Sequence, residues 1–106
     1  MIFVALTPFA NFRERVWSDE DFAELQEFLS LAPAAGVLIP GSGGLRKVRW
    51  LAQQRGKRGG ARVIYYWNAR ANCIYLVHGY TKSSRDDLTK RELMTLRGLL
   101  RDLTDG

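Results

Sequence analysis

The sequence predicts an α+β fold in which an antiparallel sheet packs with two N-terminal helices and a C-terminal helix. Three observations lead there. Residues 45–52, 61–67 and 73–80 are β-rich and separated by Gly-rich or Asn-bounded turns. Ser18-x-x-Asp21 and Thr89-x-x-Glu92 each open a run with apolar residues at helical spacing. A further apolar run, MIFVALT, begins the chain. At 106 residues the chain is read as a single domain, 1–106.

In order, residues 1–7 form the first strand, and Pro8 ends it. Phe9, Phe12 and Val16 then fall at the spacing of a helical turn or two. Ser18 can accept one of the unpaired N–H groups of the next helix, while Asp19, Glu20 and Asp21 favour the positive end of its dipole. Phe22, Leu25, Phe28, Leu29 and Ala32 make its apolar stripe, and Pro33 stops it. Residues 34–44 read as a loop. Its Gly41-Ser-Gly-Gly44 run lacks the Lys-Ser/Thr ending of a phosphate-binding P-loop and leads into a strand, not a helix.

Alternation in the second strand puts Lys47 and Arg49 on one face, with Val48 and Trp50 on the other. The third alternates Arg62, Ile64 and Tyr66 against Val63, Tyr65 and Trp67, and residues 68–72 close a hairpin. The fourth is apolar enough to lie centrally, with Cys73 as a small buried hydrophobe. Leu93, Leu96, Leu99, Leu100 and Leu103 form the stripe of the closing helix; Gly98 within it costs about 1 kcal/mol relative to Ala.

Charge is strongly segregated. Between residues 28 and 85 there is no Asp or Glu, but ten Lys or Arg. Six of the eleven acids cluster between positions 14 and 27. The net charge is +5. Cations interleaved with Trp and Tyr on a sheet suit a polyanion with stackable bases, which is nucleic acid. The loop at 53–60, QQRGKRGG, has no hydrophobic anchor, so Arg55, Lys57 and Arg58 are available for phosphates. A single cysteine rules out an internal disulfide and fits a reducing cytoplasm. No apolar run approaches membrane-spanning length, so no membrane partner is expected. One His, one Cys and a carboxylate-free sheet offer no metal ligand cluster, and no cofactor is expected.

The runs PGSGGLRKVRW, GKRGGARVIYYW and IYLVHGYTK followed by DDLT resemble the RelE/ParE toxin superfamily, in particular the HigB-type branch of RelE-like toxins. The resemblance implies a small RelE-like fold, an adjacently encoded, DNA-binding antitoxin as partner, and cleavage of messenger RNA on the small ribosomal subunit. It assigns Lys47, Arg49, Arg62, Tyr80 and Lys82 to the catalytic site, with Arg46, Arg55, Lys57 and Arg58 contacting RNA or ribosome. The chemistry implied is metal-independent attack by the RNA 2′-hydroxyl. Tyr80, Tyr65 and Tyr66 are candidate proton donors, and His78 a candidate acceptor. The alternatives are a gyrase-inhibiting ParE-like toxin and a non-catalytic nucleic-acid-binding protein.

Overall fold

The computed structural model describes residues 1–50, 60–81 and 87–104. Among them the order is β1 (Ile2–Ala5), α1 (Thr7–Val16), α2 (Asp19–Leu31), β2 (Val37–Leu38), β3 (Arg46–Trp50), β4 (Ala61–Asn68), β5 (Cys73–Thr81) and α3 (Lys90–Thr104). The strands form one sheet in the order β1-β5-β4-β3-β2.

Both capping boxes are present. The Asp21 N–H donates to Ser18 Oγ at 3.1 Å, and the Ser18 N–H donates to Asp21 Oδ2 at 3.2 Å. At α3, the Glu92 N–H donates to Thr89 Oγ1 at 3.1 Å and the Thr89 N–H to Glu92 Oε1 at 2.9 Å. A cap of this kind contributes about 1 kcal/mol. The first helix starts at Thr7, two residues before its first core aromatic, with Pro8 in a first turn where its missing N–H costs nothing.

The sheet is covered on both faces. On one, Phe9 and Phe12 of α1 and Leu25 and Leu29 of α2 meet Val48, Val63, Tyr65, Ile74 and Leu76. On the other, Leu96 and Leu100 of α3 meet Leu45, Ile64, Val77 and Tyr80. The alternation expected in β3 and β4 is what separates these two clusters. β5 carries an irregularity. Its pairing with β4 shifts by one residue between Ile64↔His78 and Tyr65↔Leu76, leaving Val77 as an extra residue.

Three details differ from the sequence expectation. The antiparallel pattern holds from β2 to β5, but β1 joins the edge of β5 in parallel. A fifth strand, β2, lies in the stretch read as loop; it has two residues, both exposed, and so carries no alternation to read. In α3, Leu93 is half-buried and Leu96 and Leu100 are buried, whereas Leu99 and Leu103 are 36% and 47% exposed. At 100° per residue Leu99 lies about 90° from the middle of the stripe formed by Leu93, Leu96 and Leu100, whereas Leu103, within about 20° of Leu96, falls in the last turn of the helix.

Two glycines make opposite predictions. A Cβ on Gly79 would lie 2.4 Å from a ring carbon of the buried Phe12, whereas one on Gly98 would have nothing within 4 Å. Gly79→Ala is therefore expected to destabilise the fold by about 1–3 kcal/mol through overpacking. Gly98→Ala should stabilise it by about 1 kcal/mol through helix propensity. Denaturant midpoints of the two variants, compared with the unsubstituted protein, check both signs.

Candidate active site

The site is built from two rows running across three strands. Register pairs Arg49 with Arg62 and Arg62 with Tyr80, giving one row; Lys47, Ile64 and His78 give the next. Strand neighbours are about 4.8 Å apart and successive same-face residues about 6.8 Å apart. Lys47, Arg49, Arg62, His78 and Tyr80 therefore occupy one patch. It lies on the face that α3 covers, beside the N-terminal end of that helix. Arg49 is exposed and Arg62 half-buried. Two guanidinium groups directly opposite each other are unfavourable by themselves, and an anion between them reverses the sign.

A carboxylate closes the patch. Asp87 Oδ1 accepts from the Leu88 N–H at 2.8 Å, from Lys47 Nζ at 3.2 Å and from the Tyr80 hydroxyl at 3.2 Å. The backbone bond from Leu88, with Lys47 and Tyr80 behind it, holds the Asp87 carboxyl below the usual carboxylate range, against a smaller opposing effect of burial. Tyr80 is 3% exposed, so its ring belongs to the core while its hydroxyl reaches the patch. The His78 ring lies 6.4 Å from that of Tyr80.

Four of the expected catalytic residues, Lys47, Arg49, Arg62 and Tyr80, are thus brought together. Lys82 and the loop cations Arg55, Lys57 and Arg58 lie outside the described residues. Arg46 is on the opposite face, opposite Tyr65, and its guanidinium donates to the carbonyls of Gly36 at 2.8 Å and Ala34 at 3.3 Å. In this position it anchors the loop that follows α2. Tyr65 joins it there: its hydroxyl donates to Pro33 O and accepts from the Gly36 N–H, each at 2.8 Å. Burial pushes the Tyr65 phenol above its ordinary range. It is no proton donor for a substrate on the other face. Tyr66 is on the cationic face, but four residues along β4 from Arg62, or about 13 Å.

Asp87 is the residue that sequence reasoning missed. It stands just beyond the cation-only interval and two residues before the Thr89 cap. Forty residues separate it from Lys47, and that contact depends on the chain turning from β5 into α3.

A family model described as the RelE toxin of the RelE/RelB toxin–antitoxin system matches residues 39–105. The chain belongs to the RelE toxin family. This RelE-family protein is accordingly a toxin of a toxin–antitoxin system, and an antitoxin is its partner. In fold it is similar to E. coli toxin RelE, solved as an arginine double mutant in the free state. The TM-score is 0.56 at 8% identity, over 92% of this chain and 93% of that one. No helix among the described residues of this RelE toxin is long and apolar enough to cross a membrane.

The Asp87 contacts imply a pH dependence. A carboxyl whose pKa is lowered on folding contributes stability that is fully present above its unfolded pKa, about 3.9, and is lost as pH falls through the folded value. In an NMR titration the Asp87 carboxyl is expected to titrate below the ordinary range. Lys47→Met should move it upward, though not fully back, because the Leu88 N–H remains. An Asp87 titration unaffected by Lys47→Met would show that the ion pair does not form in solution.

Proposed function

We propose that this RelE-family toxin is a ribosome-dependent endoribonuclease that cuts messenger RNA and thereby halts translation. The observation that supports it best is the direct opposition of Arg49 and Arg62, with Lys47 one step away, on a face that α3 leaves partly open. Three cations at that spacing match the non-bridging oxygens of a phosphodiester as its charge grows in the transition state.

In this reading the RNA 2′-oxygen attacks the neighbouring phosphorus, the bond to the 5′-oxygen breaks, and the upstream product ends in a 2′,3′-cyclic phosphate. Arg49 and Arg62 hold the phosphorane oxygens through paired N–H groups. Lys47 is fixed by Asp87 and adds a point charge. A carboxylate held below its usual range is a weak base. Asp87 is therefore assigned to orienting Lys47 and the Tyr80 hydroxyl. His78, in the row of Lys47, is the acceptor for the 2′-hydroxyl proton, histidine being the side chain whose ordinary range spans neutral pH. Tyr80, its hydroxyl turning from Asp87 to the substrate, returns a proton to the departing 5′-oxygen. The reading needs no metal: the nucleophile is the RNA's own, and the charge is met by guanidinium and ammonium groups. An open face grips RNA from one side only, so the ribosome holds it from the other.

Expression without the antitoxin should stop protein synthesis, and mapping message ends in a translation extract should reveal new cuts. Arg62→Ala should lower the single-turnover cleavage rate by roughly 10² to 10³, equivalent to about 3 kcal/mol. Arg62→Lys should recover part of that, since a point charge replaces a two-pronged contact. Continued protein synthesis alongside broken DNA would move the protein to the gyrase-inhibiting reading. A folded Arg62→Ala protein that cuts at the full rate would show the site to be misplaced.

A further inference from the structure

A second feature lies on the same sheet face, toward the C-terminal half of α3. There the helix and the turn at 41–44 enclose a cleft of about 260 Å³, lined by Ser42, Gly43, Tyr66, Arg97 and Arg101 among others. The turn is built rigidly. The buried Ser42 Oγ donates to Ile39 O at 2.6 Å and accepts from the Leu45 N–H at 2.9 Å. Gly43 takes φ +78°, a backbone conformation that favours glycine, and the Arg97 Nε lies beside the turn, 3.8 Å from where a Cβ on Gly43 would sit. The floor is aromatic: Tyr66 stacks on Tyr75 with centroids 6.3 Å apart and an interplanar angle of 29°.

The helix lines up further cations with this cleft. At 100° per residue, Lys90, Arg97 and Arg101 fall within about 40° of one another, on the flank of α3 opposite Leu99. Lys90 begins the helix beside Asp87 and the patch of Lys47 and Arg62; Arg101 ends in the cleft. Among the described residues, neither Arg97 nor Arg101 forms an ion pair with a carboxylate. Two guanidinium groups beside an aromatic floor fit one nucleotide: phosphate on the arginines, base against the ring.

We propose that this cleft is a second RNA subsite, holding a phosphate and base of the same strand some nucleotides away from the bond that is cut. It deepens the ribonuclease reading and rests on it for the identity of the strand. The subsite adds affinity and direction: RNA runs along the cationic flank of α3, from the Arg49 and Arg62 patch to Tyr66.

The test measures binding of a fluorescent single-stranded RNA with 2′-O-methyl sugars throughout, which cannot be cut by its own 2′-hydroxyl. Each phosphate contact on a single strand adds about 0.7 to the slope of log affinity against log salt. Arg97→Gln with Arg101→Gln should weaken binding at least tenfold at low salt and lower that slope by about 1.4. Arg15→Gln with Arg70→Gln, which removes the same charge from exposed positions outside the cleft, should change neither by more than about threefold or one contact's slope. Tyr66→Leu should weaken binding roughly tenfold with the slope unchanged, since stacking releases no counterion. Equal losses in both double variants would reduce the effect to overall charge and overturn the subsite, as would unchanged binding in Arg97→Gln/Arg101→Gln. Single-turnover cleavage of message on the ribosome separates the two readings. At saturating protein the double variant should cut at the unsubstituted rate. If no form of the protein cuts but the binding losses follow the pattern above, the cleft stands as an RNA site and the ribonuclease reading falls. A large loss at saturation would merge the cleft with the catalytic patch and overturn it as a separate subsite.

Discussion

The extra residue in β5 is the constraint on which the site depends. A pleated strand sends alternate side chains to opposite faces, so Ile74 and Leu76, which pack against α1 and α2, would carry His78 and Tyr80 to that same buried face. The one-residue shift at Val77 resets the phase. Beyond it, His78 pairs with Ile64 and Tyr80 with Arg62, on the α3 side, while Gly79 turns toward Phe12. Both halves of β5 thus bury an apolar surface where a helix waits, and the polar residues arrive beside the cations of β3 and β4. A regular ladder would have separated the tyrosine and histidine from Lys47 and the arginines.

Packing and function divide the second face between them. α3 seals one end with Leu96 and Leu100 over Leu45, Ile64 and Val77 and helps bury the Tyr80 ring, while Arg49 stays exposed and Lys47 and Arg62 half-buried on the same face. Asp87 sits at that boundary and ties the approach to the helix to Lys47 and Tyr80 through a single oxygen. The helix start and the cationic patch are therefore set by the same contact. Because Asp87 is largely exposed, with 64% of its side chain accessible, its value lies in geometry more than in stability.

Much of this was legible in the sequence because local rules and tertiary demands agree. Ser18 with Asp21, and Thr89 with Glu92, mark helix starts by chemistry that operates within four residues. Lys47 and Arg49 alternating with Val48 and Trp50 declare the two faces of β3. What was hidden depends on contacts between distant segments. A bulge leaves no composition signal, so the faces of β5 could not be assigned. The anchoring contacts of Arg46 could not be read either, because they depend on the register that places it opposite Tyr65, where the two side chains bind the loop after α2. Leu99 and Leu103 satisfy helical spacing but stay partly exposed, one at the edge of the buried stripe and the other in the last turn of α3. Asp87 was passed over because the absence of carboxylates from 28 to 85 drew attention to cations alone.

The central claim is that this face positions a phosphodiester for attack by the RNA's own 2′-hydroxyl. It is tested most directly with ribosomes programmed by a message bearing a 2′-deoxy sugar at the scissile position, compared with the all-ribose message. The account predicts that the deoxy message associates with the toxin on the ribosome as the normal one does but stays intact, while the normal product ends in a cyclic phosphate or its opened monophosphate. Cutting of the deoxy message at the same bond would require water as the nucleophile and would contradict the account.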